Sequence, residues 1–113
     1  MAWHLDPHSG GTKIPHAMFE ELRTQVHAYE KTCSWYPQHS IKLRFKSQFC
    51  YVDSFEEGKN LSPLCRLRYF KLRGWSFAFF TYSSERYEPC IFPSGEWFGT
   101  IEQAIQASSL YLI

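Results

Sequence analysis

The sequence predicts an α+β domain: a four-stranded antiparallel meander sheet with an N-terminal and a C-terminal helix packed on one face. Two periodicities and their order carry this prediction. Apolar residues recur every three or four positions near both ends of the chain and every second position through its middle. Strands that follow one another between helices, rather than alternating with them, imply an antiparallel sheet with the helices segregated to one side.

Residues 1–13, MAWHLDPHSGGTK, are polar, Gly-rich and without periodicity, and are expected to form a flexible arm ahead of a single domain over 14–113. From Pro15, the positions Met18, Phe19, Leu22, Val26, Tyr29 and Cys33 fall on one helical face. Pro15 suits the first turn, Glu20 and Glu21 favour its positive end, and Lys31 favours its negative end. Ile41, Leu43, Phe45, Phe49 and Tyr51 alternate with Lys42, Arg44 and Lys46 and predict the first strand. An extra residue near Ser47 and Gln48 would exchange inward and outward positions beyond it.

SFEEGKNLSP is a polar connection, and the second strand is expected over 64–72, with Cys65, Leu67 and Tyr69 inward and Arg66 and Arg68 outward. Arg73-Gly74 reads as a tight two-residue hairpin turn. The third strand follows over 75–82 and a fourth over 87–92. Thr100 and Gln103 form a capping box, and Ile101, Ala104, Ile105, Ser108 and Leu112 make the inward stripe of the last helix.

The 113 residues are enough to bury a core, and 44% apolar with 20% charged residues is the balance of a globular chain. Aromatic residues reach 19%, and rings so dense must fill a core, an interface or both. The net charge of +1 argues against a general polyanion binder. It is unevenly spread: between Ile41 and Arg73 there are eight bases against three acids, and elsewhere four against eight. Cys33, Cys50, Cys65 and Cys90 have no CxxC spacing and follow no secretory signal, so reduced thiols in a cytoplasmic protein are expected. No apolar run is long enough to cross a bilayer, and no membrane partner is expected.

A two-residue turn at Arg73-Gly74 would set Leu72 opposite Trp75, Phe70 opposite Phe77, Arg68 opposite Phe79 and Arg66 opposite Thr81. The face away from the helices would then carry Phe70, Leu72, Trp75, Phe77 and Phe79 with Arg66, Arg68, Lys42, Arg44 and Lys46. A patch so apolar calls for a cover. A second copy of the chain, forming a sheet-to-sheet homodimer with arginines at its rim, is the expected partner. A small-molecule or protein ligand, or single-stranded nucleic acid stacked on the rings with Lys and Arg on its phosphates, are the alternatives.

Catalytic and metal signatures are sparse. His4, Asp6 and His8 lie in the arm beside Pro7 and read as solvated residues, not ligands. No HExxH, GxSxG, Walker loop or GxGxxG occurs, and neither a metal nor a cofactor is expected. His16 and His27 read as surface positions of the first helix. All histidines lie at or before His39, outside the expected strands, so Cys65 and Cys90 read as structural thiols. Asp53, Glu88 and Glu96 lie near predicted strand ends. Beside Arg66 and Arg68, a carboxylate there could serve as the base of a small hydrolase or nuclease acting on an anionic substrate, or as a salt-bridge partner.

FCYVD (49–53), PLCRLRY (63–69), GWSFAFF (74–80), YEPCIFPSG (87–95) and GTIEQAIQASSLYL (99–112) resemble a family of small uncharacterised bacterial proteins from actinobacterial genomes and integron gene cassettes. The resemblance covers Ile14 to Leu112. It implies a bacterial cytoplasmic domain and carries no activity or cofactor. If the family's recurring polar positions mark a site, Tyr51, Asp53, Arg66, Arg68, Tyr87 and Glu88 are the candidates. The resulting expectation is a non-catalytic binding or adaptor module that self-associates or binds a ligand through its aromatic and basic sheet face.

Overall fold

A computed structural model describes residues 9–109; the histidines and aspartate of the arm, at positions 4, 6 and 8, and Leu112 lie outside them. The architecture is α+β, with two helices and a five-stranded open antiparallel sheet. In chain order the elements are α1 (Met18–Glu30), β1 (His39–Lys46), β2 (Phe49–Glu56), β3 (Ser62–Phe70), β4 (Gly74–Thr81), β5 (Arg86–Cys90) and α2 (Ile101–Ser108). The strands lie side by side in sequence order, which makes β1 and β5 the edges.

The fifth strand arises because the expected first strand is a hairpin. Ser47 takes φ 55°, and the chain reverses over Ser47-Gln48 so that Lys46 pairs with Phe49. Short polar residues tolerate this left-handed backbone, whereas the flanking aromatic residues would resist it. Phe45 and Cys50 remain opposite one another on the core side, and Phe49 and Tyr51, expected inward, turn to the other face with Lys46 and Arg44.

The β3–β4 hairpin corrects a second expectation. Arg73-Gly74 is not a two-residue turn. Arg73 N–H donates to the Phe70 carbonyl at 3.1 Å, Gly74 has φ 94°, and Phe70 pairs with Gly74 across three intervening residues. Glycine supplies the positive φ that closes this longer loop. Trp75 therefore pairs with Tyr69 instead of Leu72, and Phe77 with Leu67. A slip of three residues is odd, so it moves every β4 side chain to the opposite face. Trp75 and Phe77 are buried in the core and Phe79 packs against it, while Leu72 is 94% exposed at the loop tip.

Both helices feed one hydrophobic cluster with the sheet. Leu22 and Val26 of α1 and Ile101, Ala104 and Ile105 of α2 meet Ile41, Leu43, Val52, Cys65, Leu67, Trp75 and Phe77. Phe92, in the loop after β5, stacks on Phe77 with ring centroids 5.0 Å apart. The capping box forms as the sequence predicts, with Gln103 N–H donating to Thr100 Oγ1 at 3.2 Å and Thr100 N–H to Gln103 Oε1 at 2.8 Å. A bulge between Val52 and Asp53 leaves Leu64 unpaired across the ladder, and its side chain joins the core. Among the described residues no helix is long and apolar enough to cross a membrane.

Cys50 and Cys65 are fully buried, and loss of hydration raises both thiols far above the usual range, Cys65 to about 12. Cys33 and Cys90 are half-buried. In the folded protein near pH 8, thiol-specific reagents are expected to modify Cys33 and Cys90 within minutes and Cys50 and Cys65 only on unfolding, as counted by intact mass. Raised folded-state pKa values also fix the sign of the pH dependence. These thiols stabilise the fold fully below the unfolded thiol pKa of about 8.5. That stabilisation is lost as the pH climbs toward 12.

Candidate functional site

The sheet face opposite the core follows from the two corrected registers. Lys42, Arg44 and Lys46 of β1 alternate with the buried Ile41, Leu43 and half-buried Phe45, and Phe49, Tyr51 and Asp53 stand beside them on β2. Arg66 pairs with Tyr51 and Arg68 with Phe49 from β3. Ala78 and Phe80 of β4, and Tyr87 of β5 opposite Phe80, complete the surface.

Of the ten residues expected to form an aromatic and basic face, Arg66, Arg68, Lys42, Arg44 and Lys46 lie on it. Trp75, Phe77 and Phe79 belong to the core side, and Phe70 is buried against Phe98, their rings edge-to-face at 5.1 Å. Of the expected polar set, Tyr51, Asp53 and Tyr87 join the arginines. Glu88 does not: it pairs with Phe79, on the other face, and accepts from Ser84 Oγ at 3.1 Å and Arg86 Nε at 3.4 Å.

Rings and guanidinium groups interleave on the open face. The Arg66 guanidinium lies 4.5 Å from the Phe49 ring centre and 5.3 Å from that of Tyr87. Arg68 lies 4.8 Å from the same Phe49 ring, and Arg44 lies 4.7 Å from Tyr51. Tyr51 and Tyr87 meet edge-to-face at 5.5 Å, and Phe80 meets Tyr87 likewise at 5.1 Å. Each cation–ring contact contributes about 0.5–1 kcal/mol at exposed sites, and together they hold the guanidinium planes in place.

Asp53 is 3% exposed and engaged by Arg44, Nε to Oδ2 at 2.6 Å and a terminal nitrogen to Oδ1 at 3.3 Å. This charge-assisted pair raises the Arg44 pKa. Burial raises the Tyr87 hydroxyl, and the negative charge of Asp53 adds to the shift against the opposing pull of Arg44. Tyr87 is therefore a neutral hydroxyl at physiological pH, a donor and not a competing anion.

Arg68 donates to the Gly10 carbonyl at 2.9 Å, and Thr12 N–H donates to the Tyr69 carbonyl at 2.8 Å, so the end of the arm runs along the rim of this face. Gly11 permits that approach: a Cβ there would stand 2.8 Å from the Tyr69 carbonyl oxygen. Arg66 differs from its neighbours. Half-buried between two rings, its guanidinium has no hydrogen-bond or ion-pair partner among the described residues. Burying cationic donors without an acceptor is costly, and such groups are commonly completed by an anion.

Other grooves lie elsewhere among the described residues. One, of about 590 Å³, separates α1 from the edge strand β1 and is lined by Arg23, His27, Glu30, Tyr36, Ser40 and Lys42 among others. Glu30 is 4% exposed; its Oε2 accepts from Ile41 N–H at 2.8 Å and its Oε1 lies 2.9 Å from His27 Nδ1. The second groove, of about 690 Å³, is largely apolar and lies between α2, Phe79 of β4 and the loop carrying Phe92 and Pro93.

Phe49 as a guanidinium platform and Glu30 as a buried anchor were not expected from the sequence. Glu30 had a signal, since it continues the four-residue row Leu22–Val26 into the core, whereas Phe49 depended on the Ser47-Gln48 reversal. Among the described residues no group of three or more His, Cys, Asp or Glu is placed to hold a metal ion. No family model, curated protein or solved structure matches the chain.

Proposed function

We propose that the protein is a non-catalytic binding module that captures an anionic ligand on the open face of its sheet. The observation that carries this reading is Arg66: a half-buried guanidinium, clamped by Phe49 and Tyr87, with Arg44 and Arg68 on the adjoining rings. A rigid fork whose donors find no acceptor among the described residues, beside further cations, is suited to a carboxylate or phosphate.

The alternatives have less support. Self-association through an aromatic face needed Trp75 and Phe77 at the surface, and both are in the core. A hydrolytic site needs an available carboxylate beside both arginines; Asp53 is tied to Arg44, and Glu88 stands on the opposite face. Single-stranded nucleic acid needs open ring faces, and guanidinium groups cover Phe49 and Tyr51.

Calorimetric titration of the full chain with inorganic phosphate, sulfate and citrate at low salt tests the reading. At least one anion should bind, and Arg66→Gln should weaken it by tenfold or more while changing unfolding stability by no more than about 2 kcal/mol. Equal binding by both proteins would defeat the proposal.

A further inference from the structure

On the reading that the open face binds anions, the class of anion follows from how little of its positive charge is available. Arg44 is neutralised by the buried Asp53, and Arg68 is engaged by the Gly10 carbonyl. Lys42 and Lys46 are exposed on the edge strand β1, two strand spacings or about 10 Å from β3, where an ammonium group stays hydrated. Arg66 remains: a half-buried guanidinium whose donors meet no acceptor among the described residues. The site therefore offers one positive charge and one fork.

The surroundings of that fork are carbon. The Phe49 ring lies 4.5 Å away on the β2 side and the Tyr87 ring 5.3 Å away on the β5 side, and the cross-strand partner on β4 is Ala78, which brings only a methyl group. Rings that cover the guanidinium leave its edge, two parallel N–H groups, as the part that can be used. A carboxylate matches this in shape and in charge, with two coplanar oxygens and a single negative charge. Sulfate or phosphate brings further oxygens and, when doubly ionised, a second negative charge, and turns them toward rings whose faces are themselves negative. Behind a carboxylate held at Arg66, the half-buried rings of Phe80 and Tyr87, edge-to-face at 5.1 Å, offer an apolar rest for the remainder of the molecule.

We propose that the ligand is a small organic monocarboxylate, its two oxygens paired with the Arg66 guanidinium and its apolar body against Phe80 and Tyr87.

The test is calorimetric titration of the full chain, at constant ionic strength, with benzoate, its neutral counterpart benzamide, acetate, sulfate and inorganic phosphate. Benzoate should bind about tenfold or more tightly than each of the other four, the scale of one charge-assisted fork or of one ring buried. Arg66→Gln should weaken benzoate about tenfold or more, and Arg66→Lys, which keeps the charge but loses the fork, should not restore it. Thermal unfolding of each variant, followed in parallel, establishes that it is folded. Benzamide or acetate bound as tightly as benzoate, or benzoate binding indifferent to Arg66→Lys, would overturn the proposal. If sulfate or phosphate binds as tightly as benzoate or more so, in an Arg66-dependent way, this inference falls and the anion-binding reading stands. If no anion binds in an Arg66-dependent way, both fall.

Discussion

Phe77→Glu is expected to unfold the protein. Phe77 is 2% exposed, with its ring 4.6 Å from that of Phe79 and 5.0 Å from that of Phe92. Removing a buried phenyl ring costs about 3–5 kcal/mol. Placing a carboxylate in the same site adds a desolvation penalty of several kcal/mol more. Domains of this size are stable by about 5–15 kcal/mol in total, so little or none should remain. Far-UV circular dichroism and urea unfolding provide the measurement. Phe80→Glu, on the open face against Tyr82 and Tyr87, is the control and should cost only about 1–2 kcal/mol. A folded Phe77→Glu protein whose mass falls from dimer to monomer would contradict the register and restore an exposed aromatic interface.

Glu30→Ala is expected to destabilise by about 2 kcal/mol, because it leaves the buried Ile41 N–H without its acceptor. The effect should be local as well as global. β1 is an edge strand, and Glu30 joins α1 to it, so Ile41 amide exchange should accelerate by at least tenfold. Glu30→Gln retains a carbonyl for Ile41 N–H while removing the charge opposite His27, and should recover about half of the loss. Stability and Ile41 exchange that are unchanged in Glu30→Ala would show that water replaces the carboxylate and that the contact contributes nothing.

The parts of the fold legible in the sequence were those specified by residues close together in the chain. Thr100 and Gln103 announced the start of α2, and Leu22 and Val26 announced the buried face of α1. Within β3, the alternation of Cys65, Leu67 and Tyr69 with Arg66 and Arg68 was equally clear and placed both arginines outward. What could not be read was which strand residues face each other. Arg73-Gly74 and Ser47-Gln48 each allow more than one turn, and the choice depends on backbone torsions: Gly74 at φ 94° closes a longer loop, and Ser47 at φ 55° makes a reversal within an apparently continuous strand.

Each choice reverses the parity of the residues after it. One moved Trp75 and Phe77 from surface to core, and the other brought Phe49 and Tyr51 from core to surface. The exchange converts an apolar patch in need of a cover into a guanidinium surface organised by rings. The candidate site was therefore half legible, its cations in the alternation of β1 and β3 and its ring platforms only in the pairing of strands.

Whether the ring-clamped arginines of the open face hold an anion, as proposed, is measured most directly by titrating the full chain with inorganic phosphate, sulfate and citrate at low salt, followed through the arginine Nε–H resonances in proton–nitrogen correlation spectra. The Arg66 resonance should move most, with Arg68 and Arg44 following and Arg23 and Arg86 unmoved. Shifts confined to Arg23, in the groove between α1 and β1, or no shift at any arginine, would contradict the account.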